Sequence, residues 1–203
     1  MRRWLVVMAK APRAGRVKTR LAAEIGMVEA TRFYRVTLAG LIRAVGSDPR
    51  WKTVIAVSPD TALRDPVWPD DVAIAAQGGG DLGDRMQRIM AGLPQGPALI
   101  IGSDVPEIRP AHIARAFDLL GRHDAVFGPA EDGGYWLVGL RRRPSVPLIF
   151  GNVRWSTRHA LADTVANCRG LSVGYADELA DIDTAADWRD WRRRSASISR
   201  SVR

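Results

Sequence analysis

An alternation constrains this chain more than any other feature. Apolar runs rich in β-formers, WLVVMA (4–9), KTVIAVS (52–58), VAIAAQ (72–77), PALIIGS (97–103), DAVFGPA (124–130) and GYWLVGL (134–140), recur along it. Between several of them lie segments of helical period: VEATRFYRVTLAGLIRAV (28–45), LGDRMQRIMAGL (82–93) and PAHIARAFDLL (110–120). Short apolar strands interleaved with amphipathic helices bury both faces of a sheet, so the pattern predicts a three-layer, Rossmann-like α/β fold with a mainly parallel sheet. The link AEDGGYW (130–136) is too short to hold a crossover helix, so the sixth run is expected to be antiparallel or to leave by another route. WSTRHALADTVANC (155–168) is expected to start a helix after Ser156 or Thr157, either of which suits an N-cap.

A chain of 203 residues, 46% hydrophobic, fits one domain, expected over 1–194, followed by a disordered basic Ser/Arg tail over 195–203. No stretch approaches the roughly 20 apolar residues that span a bilayer, and the apolar centre of MRRWLVVMAKAP is too short for a signal peptide. The expectation is a cytoplasmic protein with no membrane partner. The single cysteine, Cys168, excludes an internal disulfide and a cysteine-built metal site, and at the end of an expected helix it reads as a packing residue. His112, His123 and His159 show no metal-ligand spacing. The net charge of +8 raises the possibility of nucleic-acid binding. Much of the excess, however, lies in Arg141 to Arg143 and in the terminal WRRRSASISRSVR, and nucleic acid is not expected as a partner.

Four polar stretches fall where strands are expected to end, the side on which open α/β sheets bind ligands. In KAPRAGRVKTR (10–20), Pro12 and Gly15 shape a loop whose backbone N–H groups can turn inward, while Lys10, Arg13, Arg16, Lys18 and Arg20 offer cationic partners for phosphate oxygens. It is not a Walker A loop, because GxxxxGK[ST] is absent. In IIGSDVPEI (100–108), Asp104 follows an apolar strand and suits a hard cation, Mg²⁺ or Mn²⁺, that bridges protein to diphosphate oxygen. In GPAEDGGYWLVGL (128–140), Glu131 and Asp132 precede Gly133 and Gly134, whose lack of a side chain allows a tight turn or close backbone approach. In LADIDTAADW (179–188), Thr184 or Asp183 suits the cap of a last helix, and Asp183 is alternatively a second carboxylate for the cation.

KAPRAGRVKTRL, GSDVP, GPAEDGGYWLVGL, VRWST and DIDTAAD, in this order and spacing, resemble the GT-A-like transferases found beside radical-SAM and selenium-domain proteins. The resemblance runs from residue 4 to about 191. That family is similar in turn to nucleotide-diphospho-sugar transferases and to small nucleotidyltransferases of the molybdenum-cofactor and phospholactate guanylyltransferase types. The resemblance implies a GT-A fold and a nucleotide-activated donor. It implies that the Lys10 to Arg20 loop binds nucleotide phosphate, chiefly through Lys18 and Arg20, and that Asp104 and Asp183 ligate the metal. Two departures stand out. Ser103 and Gly102 precede Asp104 where a typical GT-A enzyme has Asp-x-Asp, and the opening loop only partly matches the glycine-rich GGxxxRM of nucleotidyltransferases.

Within that frame Glu131 or Asp132 is a candidate base toward an acceptor hydroxyl. Gly78 and Gly79, in QGGGDLGDRM, are candidates for approach to base or ribose. Gly133, Gly134, Tyr135 and Trp155 are candidates for the acceptor side, with Trp136 as a further wall. The expected reaction is glycosyl transfer from a nucleotide sugar to a small-molecule acceptor. The alternatives are nucleotidyl transfer from a nucleoside triphosphate with release of pyrophosphate, and a binding module that has lost its chemistry.

Overall fold

The computed structural model describes residues 1–201 of the backbone, with side chains described through Arg194. The apolar runs become β1 (Trp4–Lys10), β2 (Lys52–Ser58), β3 (Ala73–Ala76), β4 (Ala98–Gly102), β5 (Ala125–Pro129) and β6 (Tyr135–Leu140). A short strand that the apolar pattern did not single out, β7 (Val173–Tyr175), completes a seven-stranded sheet in the order β3-β2-β1-β4-β6-β5-β7. β1 is parallel to β2 and β4, β2 to β3, and β5 to β7. β6 runs antiparallel to both neighbours, as the short 130–134 link requires.

The helices are α1 (Thr19–Ile25), α2 (Met27–Val45), α3 (Leu82–Gly92), α4 (Pro110–Leu120), α5 (Ala160–Ala166) and α6 (Ala185–Ser201). Alternation along β1 sends its side chains to opposite layers. Leu5 and Val7 join Leu41, Ile113, Phe117 and Leu120 beneath α2 and α4, whereas Val6 joins Met86, Met90, Phe127 and Phe150 on the α3 and α5 side. α6 lies over α1 and α2, where Trp188 and Trp191 pack against a cluster of Leu21, Ala30, Phe33 and Ile182.

α5 begins at Ala160, two to three residues later than expected, and neither Ser156 nor Thr157 is its N-cap. Thr157 instead closes a local turn, its Oγ1 accepting from the His159 N–H at 3.2 Å and donating to the Arg154 carbonyl at 2.7 Å. This competition between side chain and helix for the same backbone groups is the usual reason for a late start after Thr. Cys168 is buried just beyond α5, its Sγ donating to the Thr164 carbonyl. The tail expected over 195–203 falls outside the described side chains, although the α6 backbone is helical to Ser201.

Because β1 continues through α1 and α2 to β2 on one side while β4 arrives on the other, strand order reverses between β1 and β4. In open α/β sheets the crevice at the carboxyl ends of such a strand pair is where ligands bind. Lys10 ends β1 there, and Ser103 and Asp104 follow β4.

Candidate active site at the β1–β4 crevice

The floor of the crevice is held by a residue in the middle of α2. Tyr34 Oη accepts from the Lys10 N–H at 3.0 Å, donates to the Lys10 carbonyl at 3.1 Å and shares a hydrogen bond with Ser103 Oγ at 3.0 Å. One hydroxyl thus ties the ends of β1 and β4 together. Burial, reinforced by the charge of Asp104, pushes the phenol well above its ordinary range and keeps it neutral. Gln77, just past β3, does the same for β1 and β2: its buried Nε2 donates to the carbonyls of Ala9 and Ala56 at 3.2 and 2.7 Å.

Above this floor the opening loop folds back. Lys18 stands at the N-terminus of α1 in a left-handed backbone conformation (φ 47°, ψ 46°). This places its ammonium, with only 3% of the side chain exposed, 2.9 Å from Asp183 Oδ1 and 3.3 Å from Asp104 Oδ2. Burial alone would lower the Lys18 pKa, but the two carboxylates outweigh it and the group is held charged, above its ordinary value. Arg20 reaches Asp183 Oδ2 at 3.5 Å from a more exposed position. Asp181 lines the same crevice, and burial together with the neighbouring Asp183 lifts its carboxyl to about 6.

Asp183 is free to face Lys18 because Thr184 takes the cap of α6. Thr184 Oγ1 accepts from the Asp187 N–H at 3.2 Å, and Asp187 Oδ2 accepts from the N–H groups of Thr184 and Asp183 at 2.8 and 3.2 Å. Asp104 and Asp183, 79 positions apart in sequence, therefore face the same ammonium.

The turn between β5 and β6 forms another wall. Asp132 Oδ1 accepts from the Gly134 N–H at 2.8 Å, which fixes the carboxylate at the mouth. Gly133 has φ +83°, and a Cβ there would lie 2.3 Å from the Arg158 carbonyl oxygen, so this position requires glycine on both counts. The facing wall is the start of α3, with Leu82 and Arg85. Arg85 Nε donates to the Gly80 carbonyl at 3.1 Å. Gly83 lets that wall approach: a Cβ there would lie 2.4 Å from the Phe150 carbonyl and 2.9 Å from the Trp155 ring. The cavity so enclosed measures about 590 Å³, within the usual range for a small-molecule site.

Of the residues singled out from the sequence, Lys10, Lys18, Asp104, Asp132, Gly134, Tyr135, Trp136 and Trp155 line this cavity. Tyr135 presents its ring and turns its hydroxyl toward Thr164 Oγ1 at 3.4 Å. Trp136 is almost wholly buried and donates to the Asp177 carbonyl at 2.9 Å, chiefly a packing role. Asp183 and Arg20 are not among the lining residues; Asp183 pairs with Lys18 and with Arg20. Arg13 is drawn away to Asp65 at 3.0 Å. Gly15, Arg16, Gly78, Gly79, Glu131 and Gly133 do not line the cavity. Gly78 is occupied in donating its N–H to Asp60 Oδ1 at 3.1 Å. Tyr34, Gln77, Arg85 and Asp181 line it without having been singled out. Only Asp181, two positions before Asp183 in DIDTAAD, carried a local signal.

Among the described residues no three His, Cys, Asp or Glu side chains cluster closely enough to hold a metal by themselves. The Asp104 and Asp183 pair supplies hard oxygen donors, and Mg²⁺ usually takes only one or two protein carboxylates, with water and substrate phosphate completing its shell. The donor set fits such an ion.

The fold recurs in solved structures. A Desulfovibrio desulfuricans G20 protein, provisionally described as a nucleotide-diphospho-sugar transferase, is 28% identical over 91% of this chain and 84% of its own, with a TM-score of 0.81. Rv0371c of Mycobacterium tuberculosis H37Rv, solved as a manganese complex, is 19% identical over 94% and 97% of the two chains, with a TM-score of 0.54. Molybdopterin-guanine dinucleotide biosynthesis protein A of Archaeoglobus fulgidus is 12% identical over 96% and 99%, with a TM-score of 0.58. These last two likenesses establish the fold alone. No helix among the described residues is long and apolar enough to cross a membrane. No curated protein matches the chain in sequence. The model of the family described as "Uncharacterized protein conserved in bacteria (DUF2064)" matches residues 41–157, more than half of the chain, and this protein belongs to that family.

Proposed function

We propose that this protein is a divalent-metal-dependent transferase that takes a nucleotide-diphospho-sugar as donor and passes the sugar to a small-molecule acceptor. The observation that carries the reading is the convergence of Asp104 and Asp183 on buried Lys18 at the β1–β4 crevice. The 28% identity to a chain described as a nucleotide-diphospho-sugar transferase supports it.

Lys18 and Arg20 grip the donor's phosphate oxygens, and Lys10 faces the same cavity. Asp104 and Asp183 would hold Mg²⁺ or Mn²⁺, which when bound neutralises the charge that grows on the departing nucleoside diphosphate. Asp132, fixed at the mouth by the Gly134 N–H, accepts the proton of the acceptor hydroxyl. The bond from the sugar's anomeric carbon to the phosphate oxygen breaks, a bond to the acceptor oxygen forms, and the diphosphate keeps the electron pair. Tyr135 and Trp155 supply an apolar wall, and Arg85 a cation, on the acceptor side.

Thermal-shift screening of nucleoside diphosphates, triphosphates and nucleotide sugars, each with Mg²⁺ or Mn²⁺, tests the donor class. A ligand at a hundredfold excess over Kd stabilises the protein by about 2.7 kcal/mol. Product analysis then separates the chemistries: nucleoside diphosphate from a nucleotide sugar supports glycosyl transfer. Pyrophosphate from a triphosphate, with no turnover of any nucleotide sugar, overturns it in favour of nucleotidyl transfer.

A further inference from the structure

Lys18 is an unusual occupant of its position. Its side chain is only 3% exposed, its backbone is left-handed, and its ammonium lies within 3.3 Å of Asp104 and 2.9 Å of Asp183. A strongly hydrated ammonium is costly to bury, and here the two carboxylates offset that cost together. The same two carboxylates are the ones assigned above to the divalent cation. An ammonium and a divalent ion cannot share the space between them, because their repulsion at such a separation exceeds that of two unit charges. The ammonium, however, rides on a flexible four-carbon stem. Arg20 offers a contrast within the same loop. It touches Asp183 alone, at 3.5 Å, with 74% of its side chain exposed, so water screens its charge.

We infer that Lys18 is the resident cation of this site, holding Asp104 and Asp183 together until the divalent ion displaces it onto the donor's phosphate. Resting on the function proposed above, this makes Lys18 not only a phosphate contact but the group that couples metal to donor. Metal arriving alone must strand a buried ammonium without a partner and therefore binds weakly. Metal arriving with phosphate gives the ammonium a destination and binds tightly. By linkage, phosphate binding gains by the same factor from the metal.

The test reads Mn²⁺ binding directly, by electron paramagnetic resonance of the free ion, in wild type, Lys18→Met and Arg20→Met, each checked for folding by circular dichroism. The expected result is that Lys18→Met binds Mn²⁺ alone about tenfold tighter than wild type, a coupling of ordinary size. Arg20→Met stays within about twofold, as expected for an exposed charge. Unchanged or weaker Mn²⁺ binding by Lys18→Met overturns the inference. So does an equal gain in Arg20→Met, which would reduce the effect to general charge. Since this comparison uses Mn²⁺ alone, it reads the exchange whether or not any nucleotide binds, and its failure is distinct from a failed donor screen. Should Lys18→Met not fold, the ammonium resonance of Lys18 in ¹⁵N-labelled wild type carries the test, with Mg²⁺ and inorganic pyrophosphate as probes. It should shift when both are bound and not with Mg²⁺ alone. A resonance unmoved while calorimetry shows both bound refutes the exchange.

Discussion

Replacing Tyr34 by Phe removes one oxygen from the point where the ends of β1 and β4 are joined. Three hydrogen bonds go with it: from the Lys10 N–H, to the Lys10 carbonyl and with Ser103 Oγ. At about 0.5–1.5 kcal/mol net for each bond, and with buried Ser103 losing that partner, the loss comes to about 2–4 kcal/mol. For a chain of this length a kcal/mol moves Tm by about 2–4 °C, so the variant should melt roughly 4–15 °C lower. Urea titration with an unchanged m-value would show that the loss lies in stability rather than in the compactness of either state. Thr37→Val, one turn further along α2, is the matched control. Thr37 Oγ1 is buried with no hydrogen-bond partner, so its removal should be neutral or stabilising. A loss below about 0.5 kcal/mol in Tyr34→Phe, or an equal loss in Thr37→Val, would refute the role given to this hydroxyl, because surface-like substitutions already scatter that far.

Gly133→Ala must place a Cβ 2.3 Å from the Arg158 carbonyl at φ +83°, and should cost about 1–3 kcal/mol in denaturant titration; a neutral result would show that the turn can relax. Thr184→Ala removes the cap of α6 and should cost about 1 kcal/mol, while Mn²⁺ affinity stays that of wild type because the Asp183 carboxylate takes no part in that cap. A parallel drop in metal affinity would join the cap to the site. Burial pushes the Cys168 thiol up to about 11, so the reactive thiolate is scarce at pH 8 and grows only as the pH climbs toward that value. Labelling by a disulfide reagent should therefore be slow in the native protein at pH 8 and rapid in urea, and fast native labelling would contradict the burial.

What the sequence by itself determined is what local periodicity can carry. The run 52–58 is apolar and rich in β-formers, and β2 occupies those seven residues; 110–120 has a helical stripe behind Pro110, and α4 occupies those eleven. The reversal of β6 was legible as well, because a five-residue link cannot hold a crossover. Asp104 and the opening basic loop were visible as charge placed where strands end. β7 carried too little pattern to be seen, and its pairing with β5 depends on a neighbour far away in sequence. Only tertiary structure decided which way Asp183 faces. Locally Asp183 and Thr184 are equivalent cap candidates. The choice rests on Lys18, 165 residues away, whose buried ammonium the Asp183 carboxylate meets at 2.9 Å. Tertiary structure likewise drew Arg13 off to Asp65, left Glu131 outside the cavity and brought Tyr34, Gln77 and Arg85 to its walls. In sequence these last three are ordinary residues in or beside helices and strands. Periodicity reports which face of an element is buried, while the partner of a polar group is set by strand order and by which loops the fold brings to the same edge of the sheet.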